Sequence, residues 1–326
     1  MNQWLFGIPG AVDDGDLCHV YPFWEEDENY FVSGSNHAGE IRGLMLSGCQ
    51  VGICASEVNE AALKELLIYA HGGTKVFVDS GAFAEVSFEG GRLAVKQPIS
   101  AQEWRRRLAI YRRVAEAYRN RCYLVAPDRV GDQEETLRRL YRYAMDVARL
   151  AELGANIIVP IQKGRMPARE FYLRAVVILG LPRAIPGIPS KKDATRLEEL
   201  LAFVRQVHPP RIHLLGLGPK SHRYQETVES AHAARPGIEI TCDSVRITAL
   251  VGRGNGKRRP LTAAQDEARA RGLSGTTEVK AAALQKVMMV ELRRKVAEAR
   301  EMGWKDPELD DEPAMDVRPR LLPAAR

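Results

Sequence analysis

Eight short apolar runs, most of them followed by a segment of helical character, limit what this chain can fold into. They are YFVSGS (30–35), VGICAS (51–56), KVFVDSG (75–81), CYLVAPD (122–128), NIIVPIQ (156–162), RAIPGI (183–188), IHLLGLG (212–218) and IEITCDS (238–244). Several are continuous rather than alternating, the pattern of parallel strands covered on both faces. Helical segments separate them at 57–73, from Ser100 onward, and at 133–153, 167–179, 191–207 and 221–235. The first stops on glycines, and Ser100 with Glu103 has capping-box spacing. Residues 84–97, AEVSFEGGRLAVKQ, form two alternating runs around Gly90-Gly91 and read as a β-hairpin inserted after strand three. Eight strands with helical crossovers favour an α/β fold, a (β/α)8 TIM-type barrel, over an open doubly wound sheet.

The expected organisation follows. Residues 1–29 form an N-terminal segment packing on the barrel, and 30–259 form the catalytic barrel. A helical C-terminal extension covers 260–304, and 305–326 is an expected flexible tail. No internal repeat is present. No Gly-x-Gly-x-x-Gly follows the first strand, and GRGNGK (252–257) lacks P-loop spacing, so neither dinucleotide nor P-loop binding is supported.

Composition narrows the class. Apolar residues make up 45% of 326, enough for a sizeable core. No apolar run reaches the roughly 18–20 residues of a membrane span, and the start lacks the pattern of a secretory signal. Five scattered cysteines, an odd number, suit reduced thiols and a cytoplasmic location. The net charge is only +5, but arginines cluster at 103–121, 136–149 and 253–259. Such clusters can neutralise phosphates or simply solvate a helix face.

Barrel chemistry gathers at the C-terminal ends of strands. There this chain places Asp79-Ser80-Gly81-Ala82-Phe83, then Pro127-Asp128, Gln162-Lys163-Gly164, Pro186-Gly187-Ile188, Gly216-Leu217-Gly218 and Asp243-Ser244. A lone aspartate after a strand is commonly a helix N-cap, and the sequence around Asp128 suits a capping turn too. Three carboxylates and an amide at one mouth suggest more. One acid can attack an anomeric carbon while another moves protons. The third acid and the amide can pair with a purine edge, with Phe83, Leu215 and Ile188 as apolar walls or as plain core.

In this order the residues resemble the tRNA-guanine transglycosylase superfamily over about 75–256. The matching elements are DSGAF (79–83), APD ending at Asp128, PIQKG with Gln162 and Gly164, AIPGI (184–188), GLG (216–218), and CDSV (242–245) with its basic loop. The family's second glycine in the first element is alanine here. The resemblance implies that Asp243 is the nucleophile and Asp79 the general acid/base. It implies base recognition by Asp128, Gln162, Gly187 and Ser80, with Phe83 and Leu215 flanking the ring. Arg253, Lys257, Arg258 and Arg259 would hold the nucleic-acid backbone.

No Cys or His follows Asp243, so the family's zinc site after the nucleophile cannot be built. Cys49, Cys54 and His37 read as scattered residues rather than ligands, and no metal or other cofactor is expected. The chain is most similar to the DpdA-type branch, which exchanges guanine in DNA for a 7-deazaguanine such as 7-cyano-7-deazaguanine. The implied partners are DNA, or alternatively tRNA, and the free 7-deazaguanine base, with no membrane. Helper proteins that open the duplex would suit a buried pocket needing a flipped base. The alternatives are a zinc-free enzyme acting on tRNA, a non-catalytic nucleic-acid-binding barrel, and a small-molecule glycosidase. The last leaves the basic loop and arginine-rich helices unexplained.

Overall fold

The computed structural model describes residues 29–46, 50–89, 92–189, 195–218, 222–244 and 270. One compact unit holds residues 29–38 and 50–244, while 39–46 belong to a second. The strands are β1 (Tyr30–Val32), β2 (Gln50–Cys54), β3 (Val76–Asp79), β4 (Val86–Glu89), β5 (Arg92–Val95), β6 (Cys122–Val125), β7 (Asn156–Pro160), β8 (Ile185–Pro189), β9 (Arg211–Leu215) and β10 (Glu239–Ser244). The helices are α1 (Ala38–Leu46), α2 (Glu60–Ile68), α3 (Ala101–Tyr118), α4 (Gln133–Arg142), α5 (Ala144–Glu152), α6 (Ala168–Leu179), α7 (Leu197–Val207) and α8 (His222–Ala234).

Eight strands close into a barrel in chain order, β1-β2-β3-β6-β7-β8-β9-β10, with β10 returning to β1. All eight pairings are parallel, so the chain is a (β/α)8 TIM-type barrel. Strands β4 and β5 form the separate antiparallel hairpin, with Val86 opposite Val95. The Gly90-Gly91 turn, residues 1–28, the helical extension and the tail lie outside what is described, apart from residue 270. No described helix is long and apolar enough to cross a membrane.

Side chains of alternate residues fill the barrel. Phe31, Phe77, Tyr123, Val125, Ile158 and Ile185 form one buried cluster, with Leu215 packed against it. The Phe31 ring lies 5.1 Å from Tyr123 and 5.7 Å from Phe77, tilted contacts typical of aromatic packing. Burying each such side chain contributes roughly 1.5–3 kcal/mol. This layer is a floor, and the residues two positions further along several strands stand above it: Ser33, Asp79, Gly187 and, from Thr241, Asp243.

The helix ends show where local signals worked. Asn59 caps α2 by accepting the Ala62 N–H at 2.9 Å, and Ser100 caps α3 by accepting the Glu103 N–H at 3.1 Å. The Glu103 carboxylate is taken by Arg106 and Arg107, at 2.7 and 2.9 Å, and that pairing is what its capping-box position serves. The single helix expected over 133–153 is two. Tyr143, at φ −109° and ψ 16°, breaks the helix and sets its ring 6.0 Å from Trp104.

Candidate active site

Asp79 ends β3, and Asp243 lies one residue before the end of β10. Phe77 and Thr241 point into the barrel, so strand periodicity sends the acids two residues on to the same side. Asp243 is 8% exposed and held by three groups. Ser33 Oγ donates to Oδ2 at 2.9 Å, the Gly216 N–H donates to Oδ1 at 2.8 Å, and His213 Nε2 lies 3.3 Å from Oδ1. Asp79 accepts the Gly81 N–H at 3.3 Å, and the Cys54 thiol lies 3.7 Å from its Oδ2. Burial, and then the charge of Asp243, push the Asp79 carboxyl up to about 6. Burial and the Asp79 charge likewise push the Cys54 thiol up to about 11.

Asp128 breaks the two-residue rhythm of β6, because Ala126 and Pro127 leave the strand before it. Its side chain is nonetheless buried at this mouth, accepting from Ser80 Oγ at 2.7 Å and from Gln162 Nε2 at 2.9 Å. Gln162 Oε1 in turn accepts the Gly131 N–H at 2.8 Å, which fixes the amide's orientation. Burial, against the opposing Ser80 hydrogen bond, pushes the Asp128 carboxyl up to about 7. The helix cap in this segment is Asp132, which accepts the Glu135 N–H at 2.9 Å. Asp128 is therefore free of the capping role that its sequence context also suited.

The remaining candidates divide. Gly187 needs to be glycine, since a Cβ there would lie 2.7 Å from Ile158 Cγ2 and 3.1 Å from Leu215 Cδ1. Leu215 is half-buried, and Phe83, on the tight turn Ala82–Glu85, is 48% exposed rather than core. Gly81, which opens that turn, has φ 74°, a conformation suited to glycine. Ile188 does not wall the mouth. It lines, with Leu200 and Leu214, a cavity of about 250 Å³ between strands and helices. The loop cations Arg253, Lys257, Arg258 and Arg259 lie outside the described residues. Among the described residues, no group of three or more His, Cys, Asp or Glu is arranged to hold a metal.

Two arginines from the helical clusters are buried supports. Arg107 Nη1 donates to the Ser80 carbonyl at 2.7 Å, and Arg139 Nη1 donates to the Asp128 carbonyl at 2.6 Å. Both guanidinium groups lie over the Trp104 ring, 5.3 and 5.5 Å from its centroid. Arg139 also makes a bidentate pair with Glu85, at 2.7 Å on both arms, with the two side chains 3% and 0% exposed. Among other arginines in these clusters, Arg112 and Arg138 pair within their own helices, with Glu116 and Glu135, and Arg113 pairs with Glu60 of α2. Sequence reasoning missed Arg107, Arg139, Ser33 and His213. The one signal for His213 is a titratable residue inside an apolar run, two positions before Leu215.

The raised Asp79 carboxyl has a consequence for stability. Its folded value, about 6, exceeds the unfolded value of roughly 4. The stability it contributes is therefore complete below about pH 4 and is lost as pH rises through 6. Asp79→Asn should leave the unfolding midpoint unchanged at pH 4. At pH 8 it should stabilise by on the order of 1–2 kcal/mol, allowing for partial solvent screening. Thermal melts of both proteins across this range check the sign.

No protein-family model matches the chain, and no curated protein matches it in sequence. Among solved structures it is similar to N-acetylneuraminate lyase from Mycoplasma synoviae. Crystal form II gives a TM-score of 0.42 at 9% identity, covering 82% of this chain and 83% of that one. Form I gives 0.42 at 8% identity, covering 84% and 81%. At that level the likeness bears on no chemistry, and the barrel rests on its own strand pairing.

Proposed function

We propose that this protein is a base-exchange transglycosylase that replaces guanine in DNA with a 7-deazaguanine such as 7-cyano-7-deazaguanine. The observation that carries the reading is a division of labour between two acids. Asp243 is fixed by donors on both oxygens, while Asp79 facing it titrates near 6 and can hold a proton near neutral pH. An Asp243 oxygen attacks C1′ of the nucleotide, and the bond from C1′ to guanine N9 breaks with its electron pair going to N9. Asp79 supplies the proton that N9 takes up. The incoming base then gives its N9 proton to Asp79 as N9 attacks C1′, and the Asp243–C1′ bond breaks to restore the carboxylate. Atoms and charge balance without a redox cofactor.

Base recognition falls to Asp128, oriented by Ser80 and Gln162. A carboxyl titrating near 7 can accept or donate a hydrogen bond to a purine edge. The exposed ring of Phe83 suits stacking on a flat heterocycle. The preference for DNA over tRNA rests on the resemblance to the DpdA-type branch, and residues 244–326 contain no Cys or His.

The test offers radiolabelled 7-cyano-7-deazaguanine with duplex DNA, single-stranded DNA and tRNA. Label is expected in DNA. Label in tRNA alone would transfer the activity to that polymer, and label in none of the three would overturn the assignment.

A further inference from the structure

His213 takes no part in the chemistry above, yet it is wholly buried, and both ring nitrogens face side chains of the neighbouring strand. Its ring stacks on Phe77 at 4.8 Å with 12° between planes, and Phe31 lies 6.1 Å away on a tilt. Nδ1 is 2.8 Å from Thr241 Oγ1, and Nε2 is 3.3 Å from Asp243 Oδ1. Thr241 and Asp243 are two residues apart on one face of β10, so a flat ring on β9 spans both.

The carboxylate beside Nε2 favours one tautomer. An ionised carboxylate only accepts, so the approach to Oδ1 is attractive when Nε2 carries a hydrogen. Nδ1 then accepts from the Thr241 hydroxyl at 2.8 Å, the shorter of that hydroxyl's two contacts, the other being the Ile212 carbonyl at 3.4 Å. The opposite tautomer would set two lone pairs against each other in the barrel interior, where unpaired polar groups are costly.

We propose that His213, as its Nε2–H tautomer, is the positioning residue of the Asp243 carboxylate. Together with the Gly216 N–H it anchors Oδ1, and so presents Oδ2, whose one described donor is Ser33 Oγ, to the sugar. The inference rests on Asp243 being the nucleophile. Ser33 depends on a neighbour in turn: a Cβ on Gly52 would lie 2.4 Å from Ser33 Oγ and 2.9 Å from its Cα. Three segments therefore converge on one carboxylate: the residues after β1, strand β9 and the turn that follows it.

Two measurements on the full chain test this. In ¹⁵N-histidine NMR, the His213 signal, assigned by its loss in His213→Gln, should show a protonated Nε2 and a bare Nδ1. Its Nε2–H resonance should shift in Asp243→Asn. An Nδ1–H tautomer, or a resonance indifferent to Asp243→Asn, would overturn the proposal whatever the polymer substrate.

The second measurement is the rate of covalent adduct formation with a guanine-containing single-stranded DNA oligonucleotide, without incoming base. His213→Gln places an amide near the Nε2 position and should stay within about 10-fold of wild type. His213→Asn reaches only toward Thr241, and His213→Phe keeps the stack but no donor. Both should lose about 100-fold, the scale of a misplaced reacting group. Thermal midpoints of all three separate this from unfolding. A His213→Phe protein as fast as wild type, or Gln and Asn variants equally slow at equal stability, would sink the positioning role. Failure of wild type itself to form adduct with DNA or tRNA would instead strike at the transglycosylase reading, and the NMR result would still decide the role of His213.

Discussion

Asp243→Asn should abolish covalent adduct formation and base exchange, a loss of roughly four orders of magnitude or more, as for removal of other enzymatic nucleophiles. The asparagine keeps the volume and can still accept from Ser33 or Gly216, so the barrel should hold. What it lacks is a charged oxygen that can bond to C1′. Wild type incubated with DNA and no incoming base should give a denaturation-resistant protein–DNA band, and the variant should give none while still retarding DNA on a native gel. That pairing separates an enzyme from a barrel that merely binds nucleic acid. Exchange at wild-type rate in Asp243→Asn would remove Asp243 from the chemistry.

The largest effect on stability is expected at Glu85. Its carboxylate receives both arms of Arg139 and the backbone N–H of Ile99, entirely shielded from water. Glu85→Ala leaves the buried Arg139 guanidinium with Glu135 as its remaining ionic partner, at 2.9 Å. Breaking one side of a buried pair costs about 3–5 kcal/mol. At roughly 2–4 °C per kcal/mol, the unfolding midpoint should fall by about 6–20 °C. A second consequence separates this from simple destabilisation. Arg139 also holds the Asp128 carbonyl, so exchange should fall even well below the melting point. The double variant Glu85→Met/Arg139→Leu should regain part of the stability without regaining the activity, since nothing then grips that carbonyl.

Much of this was legible in the sequence, for a physical reason. Parallel strands buried on both faces leave continuous apolar runs, and the eight runs match the eight barrel strands to within a few residues. Asp79 and Asp243 stood out as carboxylates at the ends of such runs. Asp128 was singled out as well, at the end of the fourth run, but its context also suited a capping turn. It reaches the mouth by leaving the strand, and its contacts with Ser80 and Gln162 are what distinguish the two readings. Two things were hidden. Arg107 and Arg139 look like their exposed neighbours in an arginine-rich segment. Their burial depends on Trp104, Glu85 and two carbonyls supplied by distant residues. His213 was masked by the run around it, because a titratable residue in a strand carries no sign of what it faces. The loop cations were read from charge alone.

The two-residue step from the floor to the acids bears on how such a chain can change length. A residue inserted or deleted within β3 or β10 would turn every side chain beyond it to the opposite face. Asp79 would exchange places with Val78 or Ser80, and Asp243 with Cys242 or Ser244. The same event in the β4–β5 hairpin, which pairs outside the barrel, shifts no barrel register. Viable relatives should therefore vary in length at the hairpin and in the helix connections. From Phe77 to Asp79 and from Thr241 to Asp243, by contrast, the spacing should admit no insertion or deletion.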